Sequence, residues 1–256
     1  MGFLTRLDII SNIIQSVIVI VIIAKTIKLT MNTRTSLLPF FFALALSGTL
    51  LSNFYWFAYD ILKPDTRMPM ACNEIGENAT ILLLCAGLDM ILKDKRKVAS
   101  EIVIAILFIG ANIALWIAWS GEWFQDILFG VPYIYLFWLL IRGIISRDVL
   151  SKKEMWLAVA VGVIVLALQM PQFFVQGLEL NFMEGLSFAV MFALALWLGV
   201  VSFRRKDFFL ASTFFMWTEL AMFLNSDFYY DLLVFVNTVA FIVMYLLVKK
   251  ELAVNG

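Results

Sequence analysis

The sequence predicts an all-α polytopic integral membrane protein: a bundle of about nine transmembrane helices, with the N-terminus outside and the C-terminus in the cytoplasm. Four observations predict it. Hydrophobic residues fill 63% of the 256 positions and charged residues only 15%, against roughly a half and a quarter in soluble domains. A mean hydropathy of +0.95 is more apolar surface than one soluble core can hide. Apolar stretches of roughly 18–24 residues, the length of a bilayer crossing, recur from end to end. Finally, the basic residues are shared very unequally between alternate connections.

In chain order the spans fall near 8–29, 36–59, 70–92, 100–120, 124–146, 155–176, 182–203, 208–225 and 228–248, within a single domain over 1–256. The first apolar run, Ile9 to Ile27, follows one basic residue, Arg6. It has no small-residue cleavage site and is too long for a signal h-region, so it reads as an uncleaved span. The second ends on Tyr55, Trp56 and Tyr59, as interfacial aromatics should. Pro69 suits the first turn of the third, where a missing N–H has no partner to lose. Glu101 opens the fourth, and Trp116 and Trp119 close it. Trp123 precedes the fifth, Trp156 anchors the inner end of the sixth, and Tyr229 and Tyr230 begin the ninth. Pro132 and Pro171 fall in the outer halves of the fifth and sixth, where each frees a carbonyl for a cavity or for a packing neighbour. No soluble domain, linker, low-complexity tract or internal repeat is expected. An odd count of spans does not divide into two equal inverted halves.

Charge fixes the orientation. Sixteen of the nineteen basic residues follow spans one, three, five, seven and nine, leaving Arg6, Lys63 and Arg67 on the other face. The positive-inside rule places the sixteen in the cytoplasm. Removing the third or the eighth span would throw basic clusters onto the wrong face.

Several function classes drop out. Zero net charge, with no basic stripe carrying interleaved aromatics, gives no nucleic-acid partner. Cys72 and Cys85 stand 13 residues apart on one helix, about 20 Å along its axis, so they cannot pair within it. The sequence has no histidine, which removes the commonest metal ligand and general base. No metal and no cofactor are expected.

The intramembrane polar residues crowd into the outer halves: Asn12, Gln15, Ser52, Asn53, the Asn73–Thr80 stretch, Asn112, Gln169, Gln172, Gln176, Thr218, Glu219 and Asn237. The inner halves are mostly Leu, Ile, Val, Phe and Ala. That asymmetry predicts a polar cavity open to the outside and sealed toward the cytoplasm. At 100° per residue Glu74, Glu77 and Asn78 share one side of a helix, flanked by Asn73 and Thr80. Glu219 stands about 18 Å from the inner end of its helix, in the outer half of a core of roughly 30 Å. The outer side carries twelve acidic and three basic groups. A charge deep in a bilayer costs at least about 2.5–3.5 kcal/mol. These carboxylates therefore call for a proton, for Lys63 or Arg67 folded in from the loop, or for an external cation. The candidate ligand- or ion-binding residues are Glu74, Glu77, Asn78, Glu219, Gln172 and Asn237.

Blander readings stand beside that one. Glu74 is one turn from the interface and can be hydrated there, and the Gln169/Gln172/Gln176 series suits interhelical hydrogen bonds. Asp89 with Lys93, and Glu101 at a helix start, are ordinary end-of-helix electrostatics. Asn78-Ala79-Thr80 is a glycosylation sequon set inside a span. Pro171-Gln172 resembles the dipeptide of PQ-loop transporters, but in one copy where that family has two, so no family is assigned.

The expected function is a transporter or permease of the plasma membrane that receives a small polar or cationic solute, with proton coupling, in an outward-facing carboxylate-lined pocket. The alternative is a receptor, sensor or accessory subunit that binds an external ligand and signals through a membrane-protein partner. An intramembrane enzyme using paired carboxylates as acid and base on a lipid ranks third, since the sequence offers no histidine and no evident nucleophile.

Overall fold

The computed structural model describes residues 3–32, 37–62, 71–92, 99–119, 123–169, 176–223 and 227–255. Among them are nine helices and no strand: α1 (Phe3–Asn32), α2 (Leu38–Leu62), α3 (Ala71–Ile91), α4 (Ala99–Trp119), α5 (Trp123–Ser146), α6 (Lys152–Gln169), α7 (Leu178–Arg205), α8 (Phe208–Phe223) and α9 (Asp227–Asn255). Five contain segments long and apolar enough to cross a membrane: Ile9–Asn32, Leu38–Tyr59, Trp123–Ser146, Leu178–Arg205 and Tyr229–Leu252. The apolar stretches Ala105–Ala118 of α4 and Phe208–Met222 of α8 are shorter. The first two turns of α3 carry Asn73, Glu74, Glu77 and Asn78, and α6 opens on Lys152, Lys153 and Glu154. Those polar openings shorten the apolar run of each helix.

The chain divides into two compact units, residues 1–25 with 148–256 and residues 26–147. In the second of these, α2 and α3 are joined along a seam of small residues. A Cβ added to Gly48 would lie 2.7 Å from the Gly76 carbonyl oxygen and 2.8 Å from Thr80 Oγ1, and one added to Gly76 would lie 3.0 Å from the Ser52 nitrogen. The two backbones touch there because neither residue has a side chain. Thr80 Oγ1 donates toward the Gly76 and Ala45 carbonyls, each at 3.0 Å, and lies 3.1 Å from Thr49 Oγ1. The apolar remainder of the seam buries Leu38, Phe42 and Leu46 of α2 and Ile81, Leu84 and Leu88 of α3. Leu136, Leu139 and Leu140 of α5 are buried as well. Arg147 Nη2 donates to the Ile91 carbonyl at 3.1 Å, closing one of the last carbonyls of α3 from the foot of α5. The Trp116 indole of α4 lies over Gly130 of α5, which has no Cβ to meet it.

The other unit packs α7, α8 and α9 closely, with α6 against α7 and the first part of α1 held by side-chain bonds. Its core buries Phe208, Phe209, Phe215 and Phe241, with Val165, Met191, Ala221 and Leu233 in a connected cluster. Phe215 and Phe241 rings meet at 5.1 Å across α8 and α9. Trp217 Nε1 donates to the Met191 carbonyl at 2.9 Å, pinning α8 to α7. The α7–α8 corner is sharp. Lys206 takes φ 55°, ψ 45° and donates its N–H to the Ser202 carbonyl at 2.9 Å, a left-handed helix cap. Asp207 then accepts the Leu210 N–H at 3.1 Å, the side-chain cap an aspartate provides.

Helix α6 starts three residues before the span expected from hydropathy, and Ser151 is the reason. Its Oγ accepts the Glu154 N–H at 3.3 Å while Glu154 Oε2 accepts the Ser151 N–H at 2.8 Å, a reciprocal capping box.

Candidate functional site

Asn237 is the hub of a buried polar chain in the unit of α6–α9. It is 1% exposed, and it sits on α9 in a run of good strand formers that is nonetheless helical, because in an apolar setting every backbone group must bond within its own segment. Gln15 Nε2 of α1 donates to Asn237 Oδ1 at 3.3 Å and approaches the Val234 carbonyl at 3.4 Å. Asn237 Nδ2 donates to Glu219 Oε1 at 2.8 Å and to Thr218 Oγ1 at 2.9 Å, both on α8. Thr218 Oγ1 passes its own proton to the Phe215 carbonyl at 2.6 Å. The polarity of this chain is uniform: amide hydrogens run from Gln15 to Asn237 and from Asn237 to the Glu219 carboxylate. Toward the other end, Ser11, one turn before Gln15, donates from Oγ to Oδ1 of Asp231, six residues before Asn237, at 3.3 Å.

Helix geometry puts the members at a common depth. Glu219 lies twelve residues from Asp207, Asn237 twelve from Lys249 and Gln15 ten from Lys25, or about 18, 18 and 15 Å at 1.5 Å per residue. Toward that charged end the buried faces are mostly apolar, through Val19 and Ile22 of α1, Phe208 to Ala211 and Phe214 to Met216 of α8, and Ala240, Phe241 and Met244 of α9, with Thr26, Ser212 and Thr238 also buried. A second polar bond, Gln169 Nε2 to Ser187 Oγ at 2.9 Å, joins α6 to α7.

In the other unit Glu74, Glu77 and Asn78 lie on α3, where the polar opening of the helix meets α2. Ser52 Oγ reaches Glu77 Oε1 at 3.5 Å, so Glu77 faces the α2 seam. Asn78 Oδ1 is a buried acceptor with no hydrogen bond among the described residues, and Gln125 Oε1 at the head of α5 is another. These oxygens are acceptors, while the Asn78 and Gln125 amides also carry N–H donors. No group of three or more Cys, Asp or Glu side chains that could hold a metal ion occurs among the described residues.

Of the six residues singled out from the sequence, Glu219 and Asn237 are directly bonded, and Glu74, Glu77 and Asn78 share one stretch of α3 in the second unit. Gln172, with Pro171 beside it, lies outside the described residues, as do Lys63 and Arg67. Gln15, Ser11 and Asp231 were not among the six. Their signal was the spacing of Ser11 and Gln15, four apart and so on one face of α1. The Gly48–Gly76 contact had no signal that one chain alone could give, since a glycine shows nothing of which helix it will meet. No family model, no curated protein and no solved structure matches this chain.

Proposed function

We propose that the chain is a nine-span protein of the plasma membrane, with its N-terminus outside, that receives a small polar or cationic solute from the outside at Glu219. The observation that carries this reading is the polarity of the Gln15–Asn237–Glu219 chain: amide donors in series lead to a carboxylate set among apolar helices. A carboxylate is complementary to an ammonium group, another donor or a proton, and not to an anion. Ionisable residues at such depth are functional by default because of what they cost to keep there. Asn237 orients the carboxylate and Gln15 holds Asn237, so both are positioning residues. Glu74, Glu77 and Asn78 supply a second group of acceptors in their own unit, and Gln172 is a further helper. A proton on Glu219 and a bound cation are alternatives, which couples uptake to pH.

A receptor or accessory subunit is the second reading, favoured by the mostly apolar buried faces of α1, α8 and α9 on the inner side of the network. In that case the solute is bound and not passed, and a membrane-protein partner carries the signal. Proteoliposomes separate the two. The transport reading expects uptake of small ammonium-type cations into them with protons leaving in exchange, dependent on pH and abolished by Glu219→Gln. Saturable binding with no flux supports the receptor instead. If Glu219→Gln leaves both binding and flux unchanged, the assignment of this carboxylate is wrong.

A further inference from the structure

The end of the α6–α9 unit that bears its basic residues is a built corner. Glu154 in the first turn of α6 pairs with Arg205 at the end of α7, Oε1 to Nη2 at 3.1 Å. Lys250 Nζ of α9 donates to the Lys206 carbonyl at the α7–α8 turn, at 3.0 Å. Those two bonds draw the ends of four helices together. Lys152, Lys153, Arg204, Lys206 and Lys249 each belong to one of these bonded pairs or lie within two residues of one, and all five side chains are exposed.

Two of the acidic groups at this corner, Glu154 and Asp207, are held locally, and the third, Glu251 beside Lys250, is half-buried. Glu154 is held by Ser151 and Arg205, and Asp207 is buried and accepts the Leu210 N–H. The five exposed cations outnumber the acidic groups around them and face outward. Directly behind them the exposed surface turns apolar: Trp156 at 72%, Leu157 at 55%, Phe203 at 61%, Val200 at 50% and Leu246 at 47%. A cationic corner on an apolar belt, with an indole at the boundary, matches the headgroup level of a leaflet. An acidic protein segment would match the charges but not the belt.

We propose that this corner binds the headgroups of anionic phospholipids, whose phosphate oxygens accept from the exposed ammonium and guanidinium groups while their acyl chains lie along Trp156, Leu157 and Phe203. The inference rests on the membrane-spanning reading of the chain, since the belt meets acyl chains only if the helices cross the bilayer.

The test uses the full chain in vesicles of phosphatidylcholine with one-fifth phosphatidylglycerol, with trace spin-labelled phosphatidylglycerol or phosphatidylcholine. Motionally restricted lipid is read by electron paramagnetic resonance. The expected result is a severalfold preference for the anionic label, on the order of threefold for a corner of this charge, collapsing toward unity in 1 M salt. The variant K152Q/K153Q/R204Q/K206Q/K249Q should lose the preference, and the charge-keeping K152R/K153R/R204K/K206R/K249R should retain it. Alkaline carbonate extraction runs alongside. Release of the wild-type chain by carbonate overturns the membrane reading itself. A chain that stays in the membrane with no anionic preference, or with one the five substitutions leave intact, overturns the lipid corner alone. Saturable binding of an acidic peptide in place of that preference overturns it in favour of a protein partner.

Discussion

Replacing Asn237 with alanine removes three hydrogen bonds at once: the one it accepts from Gln15 at 3.3 Å and the two it donates to Thr218 and Glu219 at 2.9 and 2.8 Å. Side-chain hydrogen bonds between helices in membranes contribute about 0.6 kcal/mol on average and up to about 1.7. Three of them, one to a carboxylate, give a loss of roughly 2–4 kcal/mol, since bonds to charged groups sit at the upper end. Reversible unfolding in mixed micelles of mild and denaturing detergent reads this loss directly. A double-mutant cycle with Gln15→Ala isolates their shared bond, with an expected coupling of about 0.6–1.7 kcal/mol. A single-variant loss below about 0.5 kcal/mol, within the range of an ordinary surface change, together with zero coupling, would refute the network.

Other outcomes follow from the packing and the caps. Gly48→Ala should cost about 1–3 kcal/mol in the same assay, because its Cβ meets backbone at 2.7 Å, whereas Gly87→Ala should cost less, because its Cβ meets the mobile tip of Leu38 at 3.2 Å. Trp217→Phe removes the bond to the Met191 carbonyl and should cost about 1 kcal/mol, with α8 gaining amide exchange before α7. Ser151 and Arg205 hold the Glu154 carboxyl below its ordinary value of 4.5, the bonds to Ser151 contributing most. A depressed folded value means that this contribution to stability is complete above 4.5 and fades as pH falls through the folded value. Helicity followed by circular dichroism between about pH 6 and pH 3 should therefore show an acid-side loss that Glu154→Gln flattens.

Hydropathy reads the thickness of a bilayer, not the length of a helix, and the ends show the difference. The ninth span is expected to stop at 248, yet α9 runs to Asn255, because Lys249-Lys250-Glu251-Leu252-Ala253 are strong helix formers that need no membrane. The start of α6 was legible in principle, since Ser151 and Glu154 stand three apart in the capping-box pattern, but a reading driven by apolar runs passes over it. The sequence contains Glu219 and Asn237 as two polar residues at matched depth, and helix arithmetic alone puts both about 18 Å from a charged end. Their bond was not legible, because depth says nothing of azimuth between two helices. For the same reason Glu77 could be placed on one side of α3, but its meeting with Ser52 could not be foreseen.

The direction of the hydrogen bonds decides what the α1–α8–α9 network can respond to. Asn237 has two N–H donors and one carbonyl, and all three are committed, to Thr218, Glu219 and Gln15. Thr218 passes its single proton to the Phe215 carbonyl, so it cannot also donate toward Glu219. An arriving group therefore cannot recruit a donor from Asn237 or Thr218 without breaking a bond. It can share the carboxylate, which has room for about four hydrogen bonds on its two oxygens. A cation or a proton does this with Asn237 in place, while an anion would have to displace it. Substituting Gln15 should accordingly leave solute charge preference unchanged and weaken affinity, because Gln15 only steadies the amide. Substituting Glu219 with glutamine should abolish the preference for cations, because the amide carries no charge and offers donors as well as an acceptor. Charge preference that survives Glu219→Gln and changes with Gln15→Ala would invert those two roles and leave the polarity argument without support.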